Sequence, residues 1–192
     1  MNGRRRSLLR AVPLLLLSGR SSAADGEAAW RLLADSHCAV LLRHAQTVPG
    51  VGDPPGLRLD DCSTQRNLSA AGRAEAQRFG AGFARRGIRV DEVLSSGWCR
   101  CIDTAKLAFP NNDVRVFEPL NSFFGDGSRR QPQTAELRAY LARLSAPRRA
   151  VLVTHMVNIA ALTGESVAMG EALLVQAGTA NAGEVLARLV VR

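Results

Sequence analysis

Apolar positions in this chain gather into short runs separated by polar, glycine- and proline-rich segments, and the runs alternate between two periods. Cys38-Ala39-Val40-Leu41-Leu42 is an unbroken apolar run that stops abruptly at Arg43-His44. Such a run predicts a strand buried on both faces that delivers two polar side chains at its C-terminal end. The next apolar set has helical spacing: Ala71, Ala74, Phe79 and Phe83 share a face, Ser69 is placed to cap the first turn, and Gly87 ends the helix. Residues 88–94 predict a second strand, broken by Ser95-Ser96-Gly97, and a helix then runs over about 98–109 until Pro110 closes it. Residues 114–117 predict a third strand, followed by a glycine-containing loop through Gly127. An amphipathic helix follows over 134–144, with Leu137, Leu141 and Leu144 inward.

Ala150-Val151-Leu152-Val153-Thr154 is another buried strand, ending in His155, and residues 157–162 open a helix. Residues 171–176 and 184–191 close the chain as strands joined by a tight connection over 178–183. No internal repeat or interdomain linker interrupts the alternation. The predicted fold is therefore α/β: a single three-layer domain with a mostly parallel central sheet flanked by helices. One long irregular loop stands out at 48–67, containing Asp53-Pro54-Pro55-Gly56, and loops of that length are often functional.

The first residues belong to a different kind of segment. Arg4, Arg5 and Arg6 precede an apolar stretch over 8–17, and Ser21-Ser22-Ala23-Ala24 follows with small residues suited to cleavage after Ala24. This is signal-peptide anatomy, and the apolar run is too short for a stable membrane span. Arg5-Arg6-Ser7-Leu8-Leu9-Arg10 is similar to the twin-arginine export pattern, although the general route stays open. The expectation is a signal peptide over 1–24, a folded domain over 25–192, and a periplasmic or secreted location. The formal net charge is +8, but residues 1–24 carry five arginines and no acid, so the remainder carries only +3. Its arginines are scattered rather than striped with aromatics, which argues against nucleic acid and favours a small anionic ligand.

In an oxidising compartment the four cysteines allow a disulfide, with Cys62 pairing Cys99 or Cys101, while Cys38 inside its apolar run reads as a buried small hydrophobe. Cys99-Arg100-Cys101 lacks the spacing of a zinc knuckle, so neither a metal nor another cofactor is expected. His37, ahead of the first strand, reads as a surface or capping residue, and Trp98 as packing. Nothing in the sequence fixes an oligomeric state.

If Arg43-His44 and Thr154-His155 both end parallel strands of one sheet, these side chains converge on one crevice despite their separation in sequence. A neutral imidazole is a competent nucleophile toward phosphorus, and neighbouring guanidinium groups oppose its protonation. Guanidinium groups also present planar forks matched to phosphate oxygens. Arg100, at a predicted helix start, adds free backbone N–H groups and the positive end of the helix dipole.

These residues resemble the histidine phosphatase superfamily, the phosphoglycerate-mutase-like group of branch 1 type. Its Arg-His-Gly signature is similar to Leu42-Arg43-His44-Ala45-Gln46-Thr47, with alanine in place of glycine. The opening of its first helix resembles Asn67-Leu68-Ser69-Ala70-Ala71-Gly72, and its Ser-Ser, Arg and Thr-Ala pattern resembles residues 95–105. Its second histidine matches His155. The resemblance implies a phosphoglycerate-mutase-like fold and a phosphomonoesterase acting on a small phosphorylated substrate. His44 would be the phosphorylated nucleophile, Arg43 and Arg100 would bind the phosphoryl group, His155 would donate to it, and Thr47 would add a contact. Where many relatives carry a glutamate acid, Leu120-Asn121-Ser122 has serine, which is no acid near neutral pH. The proton donor is therefore open among Glu118, Asp126, Asp53, Asp60 and Asp61. Two alternatives stand beside this reading: an envelope saccharide phosphatase acting on a lipopolysaccharide heptose, and a phosphate-binding or regulatory protein with weak or no catalysis.

Overall fold

The computed structural model describes residues 23–50, 52–189 and 191. Residues 1–22, which hold most of the expected signal peptide, lie outside the described residues. Helix α1 (Ala23–Asp35) opens the described chain, where the sequence pattern reads no helix and places Ala23 and Ala24 at the end of the expected signal peptide. Its buried positions Ala29, Trp30 and Leu33 lie on one side of the helix and fill the core. Strand β1 (Cys38–Arg43) and helix α2 (Ala70–Arg85) follow, then β2 (Glu92–Ser95), α3 (Cys99–Ala108) and β3 (Val114–Val116). Helix α4 (Arg130–Arg143), β4 (Ala150–Thr154), α5 (Met156–Thr163), β5 (Ala172–Gln176) and β6 (Val185–Leu189) complete the chain.

The strands form one six-stranded sheet in the order β3-β2-β4-β1-β5-β6. β3, β2, β4 and β1 pair in parallel, and β5 runs antiparallel to both β1 and β6. Only β5 is therefore reversed, and β1 and β4 lie side by side in the middle with Arg43 opposite Thr154. The unbroken apolar runs follow from this position. Along β1, Cys38, Val40 and Leu42 face a cluster with Trp30, Phe79, Phe83 and Ala105, while Ala39 and Leu41 face Leu137, Leu141 and Ile159. A strand buried on both faces must be apolar at every position. α1, α2 and α3 thus cover one face and α4 and α5 the other.

Two element boundaries differ from the sequence pattern by more than two residues. Residues 88–91 are not strand, because the pairing of β2 with β4 begins at Glu92 opposite Ala150. α4 starts at Arg130, one turn earlier than expected, on a turn capped by the Asp126 side chain. Packing of α2 on α3 depends on Gly80, where a Cβ atom would lie 1.8 Å from the Ala108 carbonyl oxygen. Among the described residues, no helix is long and apolar enough to cross a membrane.

Candidate active site

The end of β1 is pinned in place by backbone bonds. The His44 N–H donates to Thr154 O (3.0 Å), and the Gly170 N–H donates to His44 O (3.1 Å). The N–H of Ala45 donates to Thr104 Oγ1 (3.0 Å), and that hydroxyl donates to Arg100 O (2.7 Å), so α3 and the segment after β1 are tied through Thr104. Ala45 needs no glycine: among the described residues only glycines take a positive φ. The N-terminus of α2 closes the other side. Ser69 caps that helix and also donates to Gln46 O from its backbone N–H (3.0 Å), while Glu75 Oε2 accepts from the Gln46 N–H (2.8 Å).

This scaffold brings His44, His155, Arg43 and Arg100 together. His44 and His155 are buried with ring centroids 5.5 Å apart. His44 Nδ1 lies 2.9 Å from Ala45 O. A carbonyl only accepts, so Nδ1 carries the proton and Nε2 keeps its lone pair. His155 Nε2 lies 2.9 Å from Ser96 Oγ, and Ser96 Oγ donates to Asn121 Oδ1 (3.1 Å). The same Oδ1 accepts from the Gly97 N–H (2.7 Å), which fixes the orientation of the amide. With its own proton on Asn121, Ser96 accepts from His155 Nε2–H, and the lone pair of the neutral His155 ring sits on Nδ1.

Arg43 donates to Val167 O (2.8 Å), and the Nε groups of both Arg43 and Arg100 are buried without a partner. Arg100 is 4% exposed, and its guanidinium carbon lies 4.4 Å from the centre of the Trp98 ring. Trp98 also meets His155 edge-on at 5.5 Å. Its packing role therefore includes setting Arg100, in a contact type that contributes on the order of 1–2 kcal/mol when desolvated. Burial pushes the His44 pKa down to about 3. Arg100, Arg43 and Arg66 add like-charge repulsion, and the bond to Ala45 O partly opposes the shift. Burial likewise holds His155 well below its ordinary value, with the same guanidiniums and His44 contributing.

Arg66 is a residue the sequence pattern did not single out. It stands at the end of the long loop, and its charge acts on both imidazoles and on Arg43. A basic residue directly before the Asn67-Leu68-Ser69 helix start was the available signal. Asn121 has no expected role in the sequence pattern either, where only the serine after it stands out. Buried Asn121 supports Ser96, and its carbonyl accepts from Asn158 Nδ2 (2.8 Å) and Gln133 Nε2 (3.0 Å). Ser122 only accepts from the Phe124 N–H (3.3 Å).

Several residues that the sequence offers as candidates are placed elsewhere. The Thr47 hydroxyl turns to Met169 Sδ (3.7 Å) in a buried position. Asp61 and Asp126 cap short 3-10 turns, Asp60 is solvated, and the exposed Glu118 meets Asn121 through its backbone carbonyl (2.8 Å). Asp53 differs: its carboxylate oxygens accept from the two terminal nitrogens of Arg100 at 2.8 and 3.2 Å. His37 is half-buried rather than on the surface, packed against Gly178 at the opposite end of β1 from the site. Cys62 pairs with Cys99, tying the long loop to the residue before Arg100, while Cys38 and Cys101 are free and buried.

Comparison with known proteins agrees with this geometry. The sequence profile described as the Histidine phosphatase superfamily (branch 1) matches residues 39–123. No curated protein sequence matches the chain. Among solved structures, the product of the open reading frame Rv3214 from Mycobacterium tuberculosis is 16% identical. The alignment covers 82% of this chain and 100% of that one, with a TM-score of 0.61. The protein histidine phosphatase SixA complexed with tungstate is 16% identical over 79% of this chain and 96% of that one, with a TM-score of 0.58. A mycobacterial glucosyl-3-phosphoglycerate phosphatase in complex with VO3 is 21% identical over 73% and 93%, with a TM-score of 0.55. With residues 39–123 matching that profile, the chain carries part of the branch 1 histidine phosphatase sequence pattern and shares the fold of these solved structures.

Proposed function

We propose that the protein is an exported phosphatase that hydrolyses a phosphomonoester through a phosphohistidine on His44. The observation that carries this reading is the meeting of two buried, neutral imidazoles with two guanidiniums at the C-terminal ends of adjacent parallel strands. In the first step, His44 Nε2 forms a bond to phosphorus while the bond to the ester oxygen breaks, and the departing oxygen takes up a proton. Water then attacks phosphorus, breaking the N–P bond and releasing inorganic phosphate. Arg43 and Arg100 stabilise charge on the equatorial oxygens, and Arg66 adds to the positive field.

His155 holds a lone pair on Nδ1 until a dianion arrives, and once protonated it donates to the phosphoryl group. Export is supported by the basic and apolar start of the sequence together with the Cys62–Cys99 disulfide, a bond that persists in oxidising compartments.

The test pairs the mature chain with a His44→Ala variant on a chromogenic phosphate ester. Turnover and an acid-labile phosphoenzyme are expected in the parent and neither in the variant. Binding of inorganic phosphate without turnover in both proteins would replace the enzyme by a phosphate-binding protein. Sequencing the N-terminus of the protein recovered from periplasm should find cleavage after Ala24, and recovery only from cytosol would overturn export.

A further inference from the structure

Resting on the proposed phosphatase chemistry, the geometry points to Asp53 as the acid that protonates the leaving group, charged with its proton by the arrival of the substrate. Asp53 sits in the long loop, in the Asp53-Pro54-Pro55-Gly56 turn, 47 residues from Arg100 in sequence. The loop is held at the site from two directions: the disulfide ties Cys62 to Cys99, and the Arg66 N–H donates to Asp53 Oδ1 (3.4 Å). Of the five carboxylates the sequence offered, it is the one bonded to a side chain of the site.

The Asp53–Arg100 pair occupies the nitrogens that a phosphoryl group would use. Arg100 is almost fully buried, so an incoming phosphoryl oxygen meets those nitrogens by displacing the carboxylate. Displacement removes the counter-ion of Asp53 and sets a doubly charged anion beside it. Both changes favour the protonated carboxyl. A monoester bound as its monoanion brings one proton. That proton passes to the Asp53 carboxylate, the ester reacts as a dianion, and Asp53 returns the proton to the ester oxygen as the P–O bond breaks and the bond to His44 Nε2 forms. The alcohol leaves neutral. Asp53 is again a carboxylate, placed to take a proton from the attacking water of the second step, pass it to the departing phosphate, and re-pair with Arg100. The Asp53 cycle needs no oxidant, metal or further proton, and the separate proton that His155 takes up when the dianion binds comes from solvent and returns there when phosphate departs.

The same position explains why serine can follow Asn121. A carboxylate on that segment would be redundant with one delivered from the opposite loop.

The test compares Asp53→Asn with the parent on two esters under single-turnover conditions: an aryl phosphate whose leaving group departs without a proton, and an alkyl phosphate whose leaving group cannot. General acid catalysis is worth ~10²–10⁴-fold, so the variant should lose that factor on the alkyl ester and less than about tenfold on the aryl ester. Inorganic phosphate should inhibit the variant at least as well as the parent, since the competing carboxylate charge is gone, and Asp53→Glu should recover part of the alkyl activity. Equal losses on both esters, or none on either, would overturn the acid role while leaving the phosphatase reading intact. A parent inactive on both esters would instead remove the reading beneath it.

Discussion

A pair of imidazoles kept neutral by burial makes the stability of this domain depend on pH well above the range where carboxylates titrate. The folded-state pKa of His44 is pushed down from 6.5 to about 3, so between those values the unfolded chain binds a proton there that the folded chain does not. Stability is then fully present above the unfolded value and falls as pH falls. Integrated from about pH 7 to about pH 5, linkage gives a loss of about 2 kcal/mol from His44. His155 adds a further loss of the same sign, because it too is held well below its ordinary value by burial, Arg100, His44, Arg43 and Arg66.

Asp61, Asp91 and Asp126 also lose stabilisation in acid, but their folded values lie below 3.8, so they contribute little above about pH 5. Urea unfolding at constant ionic strength reads the effect: a loss of about 2 kcal/mol moves the midpoint by about 1 M at a typical m-value. A His44→Gln variant should keep the His155 share and lose its own, and a variant with both replaced should show a nearly flat profile across this range. Parent midpoints that coincide at the two pH values would refute the burial argument. So would a double variant that retains the parent's slope, since the titrating groups would then lie elsewhere.

Two further outcomes follow from the packing around the site. The Cys62–Cys99 bond closes a span of 37 residues, so Cys62→Ser with Cys99→Ser should lower unfolding free energy by about 4 kcal/mol on chain entropy. The same variant should weaken turnover through the loosened loop, and unchanged thermal melting and activity would contradict both. At Gly72, a Cβ would stand 1.9 Å from Gln46 O, two residues after His44. Gly72→Ala should therefore cost about 1–3 kcal/mol as an overpacked contact and reduce kcat, and a variant with parental melting and kcat would show that the approach is not needed.

The parts of this structure that were readable in sequence are those in which burial forces composition. β1 and β4 are covered on both faces, so each is an apolar run, and the polar residue that ends each run marks where the sheet meets its ligand face. The reversal of β5 left no trace, because a buried strand reads the same in either direction. α1 was hidden by brevity of signal: its buried residues are Ala29, Trp30 and Leu33, and Trp30 packs on Phe83 and close to Gly82, where a side chain would come within 2.8 Å of the indole. Asp53 could not be told from the solvated Asp60 by any local pattern. What separates them is a salt bridge to a residue 47 positions away, on a loop whose course is set by a disulfide.

His44 and His155 are alike in burial and in the cations around them, yet the proposed mechanism gives them opposite work, and their hydrogen-bond partners decide which does what. The Ala45 carbonyl cannot donate, so it holds the His44 proton on Nδ1 and leaves Nε2 free to attack. Ser96 donates its hydroxyl hydrogen bond to Asn121 Oδ1, so it accepts from His155 Nε2–H and leaves Nδ1 as the position that changes state. A phosphoryl dianion entering among Arg43, Arg66 and Arg100 offsets the repulsion that kept both rings neutral. At His44 the freed basicity is spent on the bond to phosphorus. At His155 no such bond is available, so the ring takes up a proton and becomes the donor that the developing charge requires. If Asn121 fixes this division through Ser96, the roles of the two histidines are set by a residue that touches neither ring.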